Sequence, residues 1–498
     1  SPAATIPLDA AAAARDSAQV SAVWWIARKE WLDLRRDNRW RAFVCVTVLL
    51  MLAALALGLL RVQRHEREHH AAEAGDRQVW TAQGAKNPHS AAHFGQYAYK
   101  PTGALALVEP GVDAHVGSAV YLEAHKQNEE QFRSARDTSL SARMGQLTLS
   151  FLLQTMLPLM AILLGFAAFT GEREQGTLRQ LLGQGVRPMQ LFLGKALTGA
   201  GVLLSLLVLT SASVAVILAI ALPLLAADHS GNVLSDAGRL LGLSVGYGLY
   251  LLGFMALSLA VSANARSSRS ALIGLLVFWW LNSFLMPRLM TDIVRSHDPL
   301  PTALAFRNTI ADDKKQLFGH DESHPGFVAF RDRILKQYQV ERVEDLPVSF
   351  RGLSLREDDE AGYRIFDRHF GRLQAQLEAQ DSRRAVAGYV FPMLALQPLS
   401  MALAGTDNRH HHHFVNAAEK HRRLIQNAAS QDLIDHAKNG DSSYAAPATT
   451  WESIPSFEYQ QPGALWATET QWSNFAALGL WCLACWMWAW RSSLRLKA

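Results

Sequence analysis

The sequence predicts an all-α membrane protein: six transmembrane helices plus a mainly α-helical extracytoplasmic domain formed by two insertions. Three observations lead there. Several charge-free stretches reach the roughly 20 residues that a bilayer-spanning helix needs. Basic residues gather in alternate connecting segments, as they do on the cytoplasmic side of membrane proteins. Cys45, Cys482 and Cys485 all lie in apolar runs, so no disulfide framework staples an exposed domain. A formal charge of +4 is too small to suggest a nucleic-acid partner.

Residues 1–42 are expected to form a cytoplasmic tail and an amphipathic interfacial helix. Trp24, Ala27, Trp31 and Leu34 recur there at helical spacing, while Arg28, Lys29, Asp33, Arg35 and Arg36 take the other faces. Trp24, Arg28, Trp31 and Arg35 are its expected membrane-surface contacts. The first span is expected at 43–60; what precedes it is longer than a signal-peptide n-region, which predicts a retained helix. Further spans are expected at 147–170, 196–226, 240–262, 271–287 and 475–490. The third is longer than one bilayer requires and is expected to tilt or protrude. Trp466 and Trp472 precede the last run and Trp488 and Trp490 close it, which suits indole rings at the headgroup level.

With six spans, the arginines and lysines of 1–42, 171–195, 263–270 and 491–498 fall on one side, so both termini are expected in the cytoplasm. Insertions 61–146 and 288–472, and the short loop 227–239, then lie outside. All eighteen histidines fall in these outer segments. No span holds Asp, Glu, Lys, Arg or His, which argues against a self-sufficient ion-driven carrier.

The loop 171–195 begins Gly171-Glu172-Arg173-Glu174-Gln175-Gly176-Thr177-Leu178 and continues through Leu181 and Leu182 to Gly194-Lys195. Its leucine stripe predicts a short interfacial helix whose charges face outward. Glu172 and Arg173 are expected to face water or protein, and replacing both with Ala is expected to remove no core packing.

Histidine patterns supply the metal candidates. His65-Glu66-Arg67-Glu68-His69 reads as HExxH, the spacing by which two imidazoles on a helix share zinc while a glutamate activates water. His89 and His93 repeat the four-residue spacing, and His125 follows in a separate segment. These three could form a metal site or a hydrogen-bonded corner. The run His410–His413 could collect a transition metal or form a polar helix start capped by Asp407. Cys482 and Cys485 form a CxxC without a second pair, which reads as membrane packing.

The 171–195 loop resembles the coupling-helix segment of ABC-2 (type-2 ABC exporter) permeases. Glu172, Arg173, Gly176, Thr177, Leu178, Leu181, Leu182, Gly194 and Lys195 carry that resemblance, with the amphipathic N-terminal helix, six spans and inner termini in support. The outer part resembles a subgroup with a large extracytoplasmic domain of uncharacterised function. Here the matching pieces are Gln83-Gly84, Asn87-Pro88-His89-Ser90-Ala91-Ala92-His93-Phe94-Gly95, Leu122-Glu123-Ala124-His125 and Met401 to Asp407. The resemblance implies a multi-pass subunit of a bacterial inner membrane with its large domain in the periplasm. It implies ATPase-coupling roles for Glu172, Arg173, Gly176, Thr177, Leu178, Leu181 and Leu182, two copies of an ABC ATPase subunit, and a second permease half, a homodimer or a sister chain. Membrane lipid is the other expected partner. No GxxxxGK[ST] loop opens a nucleotide domain, so no cofactor is expected in this chain, no enzyme activity by itself, and ATP and Mg in the partner subunit. The rival expectations are a mechanotransmitting membrane subunit that acts on a periplasmic partner or metal centre without a conduit, and a membrane-anchored zinc hydrolase.

Overall fold

A computed structural model describes residues 8–133, 147–221, 233–318, 321–441 and 443–496. The last five residues of the expected third span, residues 227–232 of the short outer loop, and Lys497 and Ala498 lie outside them. The protein is mostly α-helical. Among the described residues, five helices are long and apolar enough to cross a bilayer: Asn38–Thr81, Leu149–Glu174, Pro188–Ile220, Val233–Asn264 and Ser268–His297.

Helix α1 (Leu8–Arg36) ends at Asp37, whose carboxylate accepts from the Arg39 N–H and caps α2 (Asn38–Thr81). At 1.5 Å per residue α2 is roughly 65 Å long, so the expected first span and the first part of insertion one are a single rod. Helix α3 (Pro88–His93) starts on an Asn87 cap. Strands β1 (Gln96–Tyr99), β2 (Ala119–Glu123) and β3 (Lys126–Gln127) then form an antiparallel sheet in that order. The sheet departs from the all-helical expectation. Its strands are too short to show a period in sequence.

Helix α4 (Leu149–Gly165) turns through 166–169 into the short α5 (Thr170–Glu174), and α6 (Thr177–Gly183) follows. The one expected loop helix is therefore two. Helix α7 (Pro188–Val216) begins ahead of the predicted span, with proline in its first turn and Lys195 buried within it. Helix α8 (Val233–Asn264) is likewise longer than predicted. Helix α9 (Ser268–Trp280) runs through a π-helical turn at Leu281–Leu285 into α10 (Met286–His297). The further helices of the second insertion are α11 (Ala303–Lys314), α12 (Pro325–Tyr338), α13 (Phe350–Val386), α14 (Met393–Ala404), α15 (Asn408–His436), α16 (Ala448–Ser453) and α17 (Ala464–Glu469). Helix α18 (Trp472–Leu494) closes the chain and packs along α8.

The long helices alternate in direction. Lys195 reaches Glu30, Arg173 reaches Ala265, and Asn264 reaches Ser492, so the N-terminal segment, the 171–187 loop, the 265–267 turn and the C-terminus gather at one end. At the other end Trp80, Ala98, Val120, Leu122, Phe414, Ile425, Trp451 and Phe457 form a separate core. There the Trp80 indole donates to the Trp451 carbonyl and the Trp451 indole donates to that of Gly84. This core thus joins residues from 80–122 with residues from 414–457.

One stretch of the second insertion sits elsewhere. Ala395, Leu396, Leu399, Leu403 and Ala404 belong to the core of the long-helix bundle. The Met393 N–H donates to Asn282 in the π-helical turn, and Asn282 donates to Tyr250. Counted from Asn264, Tyr250 stands roughly 20 Å along α8 and Arg239, which holds the Ala402 and Leu403 carbonyls, roughly 37 Å. Helix α14 therefore occupies the half of the bundle nearer the outer unit.

Close packing depends on missing side chains. A Cβ on Gly253 would lie 2.1 Å from the Trp481 ring, so α18 reaches α8 only because that position is glycine. Gly253→Ala is expected to cost about 1–3 kcal/mol, read as a lower melting temperature of the purified protein in detergent. Gly274→Ala, with nothing within 4 Å of its added methyl, is expected to melt as wild type.

Candidate functional site

Three consecutive charges end the second long helix, and each binds a different neighbour. Glu172 accepts from the Lys195 ammonium at 3.1 Å and from the Thr177 hydroxyl, with Lys29 of α1 at 3.7 Å. Arg173 donates to the carbonyls of Ala265 at 2.8 Å and Ala263 at 3.2 Å, satisfying the open C-terminal end of α8. Glu174 accepts from the Ser268 N–H at 2.7 Å and its hydroxyl at 2.8 Å, at the start of α9. Lys195 also holds Glu30 of α1 at 2.7 Å. Both side chains of Glu172 and Arg173 therefore face protein, and replacing them with Ala would remove hydrogen bonds and ion pairs rather than apolar packing.

The rest of the loop follows from Gly176, whose φ of +75° lets the backbone reverse between α5 and α6. Leu178 is buried, and Leu181 and Leu182 pack half-buried on the bundle core, so the leucine stripe anchors α6 as expected. What faces outward is Gln175, Arg179, Gln180, Gln184 and Arg187. In the sequence these polar residues carry no distinguishing pattern beside the charge cluster at 172–174.

On α1 the predicted stripe divides. Ala27 is buried with its carbonyl accepting from Thr198, and Leu34 packs on the bundle core, whereas Trp24 and Trp31 are exposed with Arg28 and Arg35. The helix thus uses one side for α7 and leaves its indoles outward.

The histidine patterns separate. The HExxH residues do not converge as a zinc site: buried Glu66 accepts from the Thr102 N–H at 3.2 Å and lies beside His70. The run at 410–413 is a capped helix start. Asp407 accepts from the His410 N–H at 2.9 Å and from its ring, while His411 faces Glu130 and His413 meets the Tyr459 hydroxyl. Burial pushes the Asp407 carboxyl up, but the His410 contacts outweigh it and hold it below the usual range. Cys482 and Cys485 are buried free thiols on α18. His89, His93 and His125, by contrast, do come together, with candidate ligand atoms all within 4.8 Å of one another.

Sequence reasoning also missed two buried ionisable groups. Glu109, from the loop after a short 3-10 turn, enters the bundle and accepts from Gln154 of α4 at 3.1 Å; Gln154 also donates to Tyr247, and Tyr247 meets Ser400 of α14 at 2.8 Å. Burial pushes the Glu109 carboxyl up, only partly offset by its hydrogen-bond donors. Arg239 is also buried, held by carbonyls of α14 and of Pro462 and by His410. Neither group lies inside a predicted span, so charge-free runs gave no sign of them.

Comparison with known proteins agrees with this architecture. Residues 24–298 match the family model described as ABC-2 family transporter protein, and residues 303–460 match DUF3526, a domain of unknown function. The probable ABC transporter permease protein NosY of Pseudomonas aeruginosa is similar, 36% identical over 148 residues, which are 29% of this chain and 49% of that protein. The chain thus spans about half the length of that curated relative.

The Lys195 contacts predict a coupled loss. Lys195→Met leaves Glu30 and Glu172 without their shared cation and is expected to cost about 3 kcal/mol, the low end for a buried pair because Glu30 is partly exposed. Adding Glu172→Gln to that variant is expected to cost much less than it does in wild type. Thermal unfolding of the four proteins in detergent measures the coupling; additive losses would contradict it.

Proposed function

This chain belongs to the ABC-2 family of transporter proteins, and on that premise we propose that it is the transmembrane permease subunit of an ATP-driven ABC exporter, working with a separate ATPase subunit. The observation that carries this reading is the α5–α6 loop. An anchored helix with an exposed polar face stands at the end of the bundle where charged side chains tie four other helices to it.

In this reading the ATPase docks on Gln175, Arg179, Gln180, Gln184 and Arg187. Glu172 and Arg173 act behind that face. When ATP binding closes two ATPase copies, the push on α6 passes through Glu172 to α7 and α1, and through Arg173 and Glu174 to α8 and α9. Gly176 and Thr177 set the angle between the two short helices, and Leu178, Leu181 and Leu182 keep α6 on the bundle.

Helix α18 is the sixth span: at roughly 35 Å it is long enough to cross the hydrocarbon layer. Both termini are then cytoplasmic in a bacterial inner membrane, and the outer unit is periplasmic. Exposed apolar side chains on α2, α7 and α18, such as Leu49, Val208 and Leu483, face lipid or a second permease half. Trp24, Arg28, Trp31 and Arg35 hold α1 at the membrane surface.

The uninterrupted α2 favours one second reading, a mechanotransmitter. A rod running from the loop end to Trp80 in the outer core could move the outer unit without a conduit.

Arg179→Glu together with Arg187→Glu is expected to lower co-purification of the ATPase subunit at least tenfold while leaving the melting temperature of the permease unchanged. The permease purified alone is expected to hydrolyse no ATP. Undiminished capture by the double variant would remove α6 as the docking element.

A further inference from the structure

We propose that His89, His93 and His125 form a binding site for one divalent transition-metal ion of the zinc class, with Asp359 orienting His125. His89 and His93 lie one turn apart on α3, which places both rings on one side of that short helix. His125 arrives on the two-residue turn between β2 and β3. The Ala124 N–H donates to the Ala92 carbonyl at 3.1 Å, so a backbone hydrogen bond sets the turn against α3. The rings of His89 and His93 have centroids 4.7 Å apart, and each is 5.2 Å from that of His125.

Two features suit a ligand set better than an ordinary turn. His125 holds a left-handed φ of +58°, a conformation that costs energy for a residue with a Cβ. Contacts from the second insertion hold it there: Lys314 donates to the His125 carbonyl at 2.7 Å, and the buried Asp359 carboxylate lies 2.7 Å from Nδ1. A carboxylate on one imidazole nitrogen fixes the ring and directs the other nitrogen to a metal. Ligand nitrogens about 2.0–2.1 Å from a tetrahedral zinc lie about 3.4 Å apart, so the observed spacing needs only small side-chain rotations to close. Three imidazoles select zinc, cobalt, nickel or copper over magnesium and calcium. His93 is exposed, leaving the fourth position to solvent.

The contrast with His69, His70 and Glu73 sharpens the choice. Those donors meet the same spacing, but all three belong to α2 and none is oriented by a buried carboxylate from another element. The three-histidine site instead unites two separate pieces of the first insertion and is braced by α11 and α13 of the second. A bound ion would lock the hairpin to the helical part of the outer unit. This does not depend on the transport reading.

The test uses the untagged full-length chain in detergent, stripped with a chelator and titrated with Co²⁺ and Zn²⁺. Wild type is expected to take one equivalent of Co²⁺ with a tetrahedral visible spectrum, displaced by Zn²⁺, and Zn²⁺ is expected to raise its melting temperature. His93→Ala, at an exposed position, is expected to keep the metal-free melting temperature and lose the spectrum. Asp359→Asn is expected to weaken binding by about 10–100-fold, and His70→Ala to change nothing. A wild-type chain that binds no Co²⁺, or a spectrum that survives in His93→Ala or disappears in His70→Ala, overturns the proposal.

Discussion

The arrangement of the bundle rests on how the second long helix ends. A helix terminus leaves backbone groups open, carbonyls at one end and N–H groups at the other. Arg173 fills the C-terminal carbonyls of α8 and Glu174 the N-terminal donors of α9, so each charge meets the helix end of opposite polarity. Glu172 takes a third direction, toward Lys195, which α1 also claims through Glu30. These three adjacent residues fix the positions of helices distant in sequence. Their own orientation is set by Gly176, which turns the chain away and leaves them facing inward.

The apolar runs were legible because a bilayer demands them. Their ends were not, because a helix does not stop where its hydrophobicity does. Beyond Leu60, α2 continues as a polar helix to Thr81, and α7 starts at Pro188 while its first turns are still amphipathic. The leucines of α6 were readable from spacing, and the direction of Glu172 was not, since an outward charge and a paired one look alike in sequence. The same limit applies to α1. Trp24 and Ala27 share a period, yet only the contact with Thr198 shows which of them meets α7.

The histidines show how local patterns and assembled sites differ. HExxH supplies the right spacing on a helix, but Glu66 is committed to the Thr102 N–H. His89, His93 and His125 are separated by a strand, a 3-10 turn and a second strand, and antiparallel pairing of β1 with β2 returns the chain beside α3. Sequence gave the pieces but not the Ala92–Ala124 hydrogen bond that joins them. Asp359, more than two hundred residues further on, left no local signal at all.

Helix α14 has a consequence for how the chain is made. Its twelve residues are too few to be inserted into the bilayer as a span in their own right. Yet its leucines fill the bundle core, and its ends are held by Asn282 and Arg239 from helices that come earlier in the sequence. Those helices must already stand side by side before α14 has a place to go. Arg239 must wait as well, because most of its carbonyl partners arrive with α14. The short apolar helix can therefore take its place only once those helices stand beside one another. A chain stalled before that step would carry a buried arginine without most of its acceptors and an exposed row of leucines.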